Sequence, residues 1–194
     1  VRHKAGESDK QIAAVQSIPV EDLVTRTLEE SDNSAAEVLS RQMALASGKP
    51  GSFAGASQAL EEHLKNMGAW QDGAVVQDGS GLSRGNRITA AMLSHAWQKV
   101  LTTPKLQPVA NAVPVSRVSG TLHKRFSEPS TAAARGVVHA KTGSLQGVIS
   151  MSGWLRDADG RILVASFIVN QTDGSARSWL DVVYGNLAGC GCTR

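Results

Sequence analysis

Two short clusters of chemically capable side chains lie 110 positions apart in a chain of 194 residues. Lys141-Thr142-Gly143, followed by Ser144, comes after the apolar-rich stretch Val137-Val138-His139-Ala140. Lys141 and Thr142 offer one positive charge and one hydroxyl donor, which suits a terminal carboxylate. Gly143 lets a ligand approach the backbone closely. Upstream, Ser31-Asp32-Asn33 groups a hydroxyl that donates and accepts at once with an amide that also does both. Such a hydroxyl can relay a proton, and a nearby ammonium can tune it. Taken alone, Ser31-Asp32-Asn33 is most often a helix cap or turn, since all three residue types favour those positions. Its pairing with the lysine cluster gives it chemical meaning.

The hydropathy pattern predicts the elements that must carry these clusters. Residues 19–30 read as a helix, with Val20, Leu23, Val24, Thr27 and Leu28 on one stripe and Pro19 in the first turn. Its end delivers Ser31. A second helix is expected over 34–46, with Leu39 and Met43 inward and Gly48 as a stop. A third is expected over 52–67, with Phe53, Ala56, Leu60, Leu64 and Met67 on its stripe. Residues 74–76 read as a short strand and 78–87 as a Gly- and Ser-rich loop. Thr89 then caps a helix reaching about 101, with Met92, Ala96 and Val100 on one face. Residues 104–114 read as irregular, 121–126 as a short helix, and the following Ser/Thr/Ala stretch as a loop.

Three strands follow, at 137–141, 148–156 and 161–170, the last two joined by the hairpin signal Asp157-Ala158-Asp159-Gly160. Val148 and Trp154 fall on one face of the hairpin, and Ile149, Met151 and Leu155 on the other. Ile162, Val164 and Ile168 likewise oppose Leu163, Ala165, Phe167 and Val169. Strands apolar on both faces predict cover on both sides, as in a helix–sheet–helix sandwich. A last helix is expected over 175–187, with Trp179, Val182 and Val183 inward.

Apolar content of 41% and charge of 19% suit one globular domain with a real core. The net charge of +3 is mild, and the densest basic cluster, His123-Lys124-Arg125, reads as a solvated helix face. No nucleic-acid partner is expected; a weakly cationic surface favours an anionic polymer such as cell wall. No apolar run approaches the roughly 18 residues of a membrane span. The chain opens Val1-Arg2-His3-Lys4, with no initiator methionine and no signal-peptide core, as a processed or cut product would. Cys190 and Cys192 lack further metal ligands, and a bridge between them would close a small, strained ring. Free thiols, or pairing with cysteines on another segment, both stay open. The five histidines show no paired metal spacing, so neither metal nor cofactor is expected.

Four blocks occur in one order: Ser31-Asp32-Asn33 with Ala36-Glu37; Asp78-Gly79-Ser80-Gly81-Leu82-Ser83-Arg84 with Asn86-Arg87 and Thr89; Ser119-Gly120-Thr121-Leu122 with Arg125-Phe126; and Ala140-Lys141-Thr142-Gly143-Ser144-Leu145 through Ser152-Gly153-Trp154. Together, from about residue 17 to 187, they resemble the S13 family of D-alanyl-D-alanine carboxypeptidases, low-molecular-mass class C penicillin-binding proteins. The resemblance implies an α/β (α+β) fold, a β-lactamase/transpeptidase-like helix–sheet–helix sandwich with a mainly antiparallel sheet. It also implies an extracytoplasmic setting in a bacterial envelope.

That family carries its nucleophile in a Ser-x-x-Lys motif near the N-terminus, separated by inserted domains from the Ser-x-Asn motif. No serine stands three positions before any lysine here. Thr102-Thr103-Pro104-Lys105 is interrupted by proline, and Thr121-Leu122-His123-Lys124 follows Ser31-Asp32-Asn33, the wrong order. Residues 1–194 are therefore expected to be the C-terminal part of one transpeptidase-like domain, inactive alone. Its expected partners are the N-terminal segment carrying Ser-x-x-Lys, a peptidoglycan stem peptide, and β-lactam antibiotics.

The implied reaction is acyl transfer by a serine D,D-peptidase, as carboxypeptidase and/or endopeptidase. By resemblance, Ser31 relays a proton to the departing D-alanine and Asn33 holds the penultimate amide. Lys141 and Thr142 take the terminal carboxylate, with Gly143 admitting the ligand to the backbone. The N–H of Ser144 is the second oxyanion donor, and Arg84 holds a carboxylate on the stem-peptide side chain. An edge strand pairing with the peptide sets its orientation. Ser80 is flanked by Asp78 and Leu82 rather than by the glycines of a nucleophile elbow, and reads as a turn residue. Two other readings stand beside this one. A β-lactamase would need a carboxylate base, for which Glu61 or Glu62 is nearest. A non-catalytic penicillin-binding or assembly module would need no nucleophile.

Overall fold

The strands expected after residue 137 pair as one antiparallel sheet in the order β1-β2-β3. They are β1 Val138–Leu145, β2 Gly147–Arg156 and β3 Ile162–Thr172. The computed structural model describes residues 6–191. Asp157 builds the β2–β3 turn, its carboxylate accepting from the N–H groups of Asp159 and Arg161 at 3.0 and 2.8 Å. β1 runs past its expected end at Lys141 to Leu145, pairing Thr142 with Met151 and Ser144 with Ile149. Small polar residues are weak strand formers, but pairing along an apolar partner strand overrides that preference. The whole Lys-Thr-Gly-Ser cluster is therefore strand.

Both faces of the sheet are covered, as the strand pattern predicts. Ile149, Met151, Leu155 and Ala165 join Leu180, Tyr184 and Ala188 of α6 (Ala176–Gly189) in the buried core. The Tyr184 hydroxyl donates to Ala165 O at 2.8 Å, and burial pushes its pKa well up, keeping it a donor. The inward stripe of α6 is not the expected one. Trp179 and Val182 are 52% and 38% exposed, while Ala176, Leu180, Tyr184 and Ala188 face the sheet. Gly185 faces the 3-10 helix Pro129–Ala134, its Cβ position 3.1 Å from the backbone of residues 130–131, a tight approach that favours glycine, while Trp179 lies edge-on to Phe167.

On the opposite face lies α4 (Ala90–Thr102), whose Trp97 donates from Nε1 to Ser152 Oγ at 3.0 Å. Trp154 donates from Nε1 to Ala110 O at 3.2 Å, on the short helix α5 (Gln107–Asn111). The stretch 104–114, expected to be irregular, thus holds a 3-10 turn (Pro104–Leu106) and α5, each with a proline in its first turn. The strand expected at 74–76 reduces to the single bridge Val75↔Arg87. Beyond it the ladder is taken over by side chains: Ser57 Oγ donates to Val76 O, and Gln77 N donates to Asn86 Oδ1. The helix expected at 121–126 is a 3-10 turn (Gly120–Leu122), after which buried Phe126 adopts φ 58°. The Ser/Thr/Ala loop includes the 3-10 helix already described.

Three helices precede the sheet: α1 (Val20–Glu30), α2 (Asn33–Ala46) and α3 (Phe53–Asn66). Val24, Thr27, Leu28, Leu39, Met43 and Leu60 line an apolar groove of about 260 Å³ among them. Val20 and Phe53, expected on the inward stripes, are 67% and 55% exposed. Phe53 lies under the Arg41 guanidinium instead. Among the described residues no helix is long and apolar enough to cross a membrane, and no cluster of His, Cys, Asp and Glu could hold a metal ion. Cys192, and with it any pairing to Cys190, lies outside the described residues.

Candidate active site

Ser31 stands at a corner between two helices. It ends α1 in the left-handed conformation, with φ 57° and ψ 45°. Asp32 then caps α2, its carboxylate accepting from Ala35 N at 2.9 Å. A left-handed serine costs roughly 1 kcal/mol, the kind of backbone strain found at functional sites. The corner presents Ser31 Oγ to β1, where Lys141 Nζ donates to it at 2.7 Å and to Thr142 O at 2.8 Å. Burial lowers the Lys141 pKa from the ordinary lysine value. None of the ion pairs among the described residues includes Lys141, so its charge is met by neutral oxygens.

The edge of β1 is paired over its first half and open over its second. Ala140 N donates to Pro114 O, and Val138 O accepts from Ser116 N, both on the side away from β2. Backbone direction alternates along a strand, so the N–H of Ser144 and the C=O of Thr142 point to that same side. There the covering segment has gone. The site thus begins where residues 114–116 leave the edge.

The remaining sequence-derived residues fall around this edge. Thr142 Oγ1 lies 2.9 Å from Thr121 Oγ1. Gly143 leaves room that any side chain would fill, since its Cβ position is 2.3 Å from Ser150 Oγ. Ser144 Oγ accepts from the Arg177 guanidinium at 2.8 Å. Arg84 donates to Gln146 O at 2.8 Å, just beyond the strand end. Asn33 opens α2, exposed, and its side chain makes no hydrogen bond among the described residues. It is the one member of the set not drawn into a contact.

The loop bearing Arg84 is built on two carboxylates. Asp78 accepts from Gly81 N, Asn86 Nδ2 and Ser83 N at 2.9, 2.9 and 2.5 Å. Glu37 Oε1 accepts from Gly79 N and Ser80 N at 3.1 and 2.9 Å. Ser80 is therefore a turn residue, as its flanks predict. Glu37 and Arg177 carry no local signal of these roles: each looks like an ordinary helix charge until the chain is folded. His139 stacks on Trp154 at 3.9 Å, and burial, with Arg156 second, lowers its pKa. It is a neutral strand residue beside the site.

Comparison with known proteins identifies the family of the chain. The profile of the D-Ala-D-Ala carboxypeptidase 3 (S13) family matches residues 1–181. Carboxypeptidase DacB of Mycolicibacterium smegmatis is 38% identical over 184 residues, 93% of this chain and 40% of that protein. A carboxypeptidase of Mycobacterium tuberculosis is 37% identical over 187 residues, 95% of this chain and 41% of that one. Penicillin binding protein 4 (dacB) from Haemophilus influenzae, solved with a β-lactam bound, superposes with a TM-score of 0.76 at 28% identity. That match covers 88% of this chain and 40% of the other. The chain spans about two fifths of the length of the relatives it matches.

Proposed function

The chain belongs to the D-Ala-D-Ala carboxypeptidase 3 (S13) family, and from that premise we propose that it supplies the proton relay, carboxylate anchor and oxyanion edge of a serine D,D-peptidase. The substrate is a peptidoglycan stem peptide ending in D-Ala-D-Ala, cleaved outside the cytoplasm. The nucleophilic serine and its lysine base come from a preceding Ser-x-x-Lys segment.

The observation that carries this reading is the 2.7 Å bond from Lys141 Nζ to Ser31 Oγ. A hydroxyl held by an ammonium is a ready donor to a leaving amine. The serine attacks the carbonyl of the penultimate D-alanine; its proton passes to the lysine base. The N–H of Ser144, on the open edge, meets the developing oxyanion with the N–H of the nucleophile. Ser31 passes its proton to the departing D-alanine and regains one from the lysine base, and water then releases the acyl-enzyme. Asn33, with its amide unengaged, is available for the substrate's peptide group. Arg84 is positioned to take a carboxylate on the stem-peptide side chain. β-Lactams follow the same path as far as the acyl-enzyme.

The outer edge of β3 supports the view that a preceding segment completes the domain: among the described residues no strand pairs with it over its 11-residue length. The β-lactamase reading has less behind it. Glu61 pairs with Lys65 at 2.6 Å and Glu62 with Lys49 at 2.8 Å, so neither carboxylate is free to serve as a deacylating base.

Labelled penicillin tests the reading on this chain together with its Ser-x-x-Lys segment. A lasting covalent adduct is expected. Rapid turnover of the label would favour a β-lactamase, and no labelling a non-catalytic module.

A further inference from the structure

Three cations gather along the open half of β1, and none is neutralised. Lys141 bonds Ser31 and Thr142 O, Arg84 bonds Gln146 O, and Arg177 bonds Ser144 Oγ. No ion pair among the described residues includes any of them. Arg177 is the one that the catalytic scheme above leaves without work. It rises from the first turn of α6 and reaches across to the strand. Its backbone is fixed there: Arg125 donates to Arg177 O at 2.7 Å and pairs with Asp181 at 2.7 Å, both partners largely buried. Its guanidinium is spent on a neutral hydroxyl, although a guanidinium fork matches a carboxylate.

Thr142 and Ser144 project from the same face of β1, two positions apart, or about 7 Å along a strand. Beyond Ser144 lies a cleft of about 370 Å³ lined by Gln146, Thr172, Gly174 and Arg177. Asp173 also borders it, its carboxylate turned to Ser175 N at 3.0 Å. We propose that Arg177 is a specificity-determining residue: with the hydroxyls of Thr142 and Ser144 it anchors the carboxylate of the departing residue, favouring substrates in which that group is ionised over those in which it is an amide. Lys141, half-buried and committed to Ser31, then serves the proton relay, and Arg177 supplies the charge that the carboxylate meets. A substrate amidated at that place has no charge there and gains nothing from the guanidinium.

This inference rests on the D,D-peptidase reading, and its test separates the two. The intact enzyme, with its Ser-x-x-Lys segment, is assayed on a D-Ala-D-Ala-terminated peptide and on the same peptide as its C-terminal amide. For R177Q the selectivity for acid over amide, in kcat/KM, is expected to fall about tenfold, with the loss on KM for the acid. R177K, which keeps charge without the fork, should recover part of it, which a merely structural role would not. Unchanged selectivity in R177Q, with wild-type enzyme that labels with penicillin and cleaves the peptide, overturns the inference and leaves the activity standing. A wild-type enzyme that neither labels nor cleaves overturns both.

Discussion

Lys141 Nζ lies 2.7 Å from Ser31 Oγ, a contact that joins a strand to a helix corner 110 residues earlier. The geometry has two independent components, the hydroxyl and the left-handed backbone that presents it, and substitution can separate them. Ser31→Ala and Ser31→Gly both remove the hydroxyl, and both should lower kcat by about a hundred- to ten-thousand-fold in the intact enzyme. They differ in backbone cost. With φ at 57°, glycine fits where alanine is strained, so Ser31→Gly should be about 1 kcal/mol more stable than Ser31→Ala. Chemical denaturation measures the difference. Equal stabilities would mean that the corner relaxes and is not held by its surroundings.

How much of this was legible beforehand depends on range. The hairpin was, because period-two alternation of Ile149, Met151 and Leu155 against Val148 and Trp154 survives folding unchanged. The meeting of Ser31 with Lys141 was legible only through two motifs in a known order, since no local pattern pairs residues so far apart. The face of α6 was misjudged because Trp179 and Val182 are more apolar than Ala176 and Ala188. What decides the face is the packing of Leu180, Tyr184 and Ala188 into the sheet core, a tertiary fact. Arg177 was invisible for the same reason, and Glu37, though it stands in the first block, gave no sign of its role: a helix charge reveals its partner only in the fold.

Two glycines of the sheet should respond differently to alanine. At Gly153 a Cβ would meet His139 O at 2.0 Å and Ala140 Cα at 2.6 Å, both backbone that cannot give. Gly153→Ala should therefore cost about 3–5 kcal/mol and part β1 from β2. At Gly143 the nearest atom is Ser150 Oγ, the tip of a rotatable side chain. Gly143→Ala should cost about 1 kcal/mol, and Ser150→Ala should restore it. Thermal unfolding of the three variants checks the order; equal losses at the two glycines would refute it.

Lys141 should titrate below the ordinary lysine value of 10.5, because burial penalises its charged form. Between the lowered folded value and 10.5, the unfolded chain binds more protons than the folded one. Its contribution to stability therefore rises with pH across that interval and is level below it. Penicillin acylation, which needs the ammonium, should fall on an alkaline limb set by the lowered value. Reductive methylation with carbon-13, followed by NMR titration and assigned by Lys141→Ala, reads the shift directly. A Lys141 signal titrating at or above 10.5 would contradict the burial argument.

Glu37 should prove to be the residue that ties α2 to the loop bearing Arg84. Its Oε1 accepts from two successive backbone amides, Gly79 N and Ser80 N, 42 and 43 residues away. Its Oε2 is buried with no hydrogen-bond partner. Removing the carboxylate leaves two half-buried donors unmet, at about 1–3 kcal/mol for such a group, so Glu37→Ala should cost about 2–4 kcal/mol. Glu37→Gln keeps an accepting oxygen for the two amides but gives up the charge, and should fall between wild type and alanine. The loop carries Arg84 to Gln146 O, so its loosening should raise KM for the stem peptide more than it lowers kcat. Hydrogen exchange at the amides of Gly79 and Ser80 is the direct readout. Both should exchange faster in Glu37→Ala, whereas Asp78→Ala should chiefly expose the amides of Gly81 and Ser83, which Asp78 holds. Unchanged protection at Gly79 and Ser80 in Glu37→Ala would mean that the loop holds its own shape, and that the carboxylate merely rests against it.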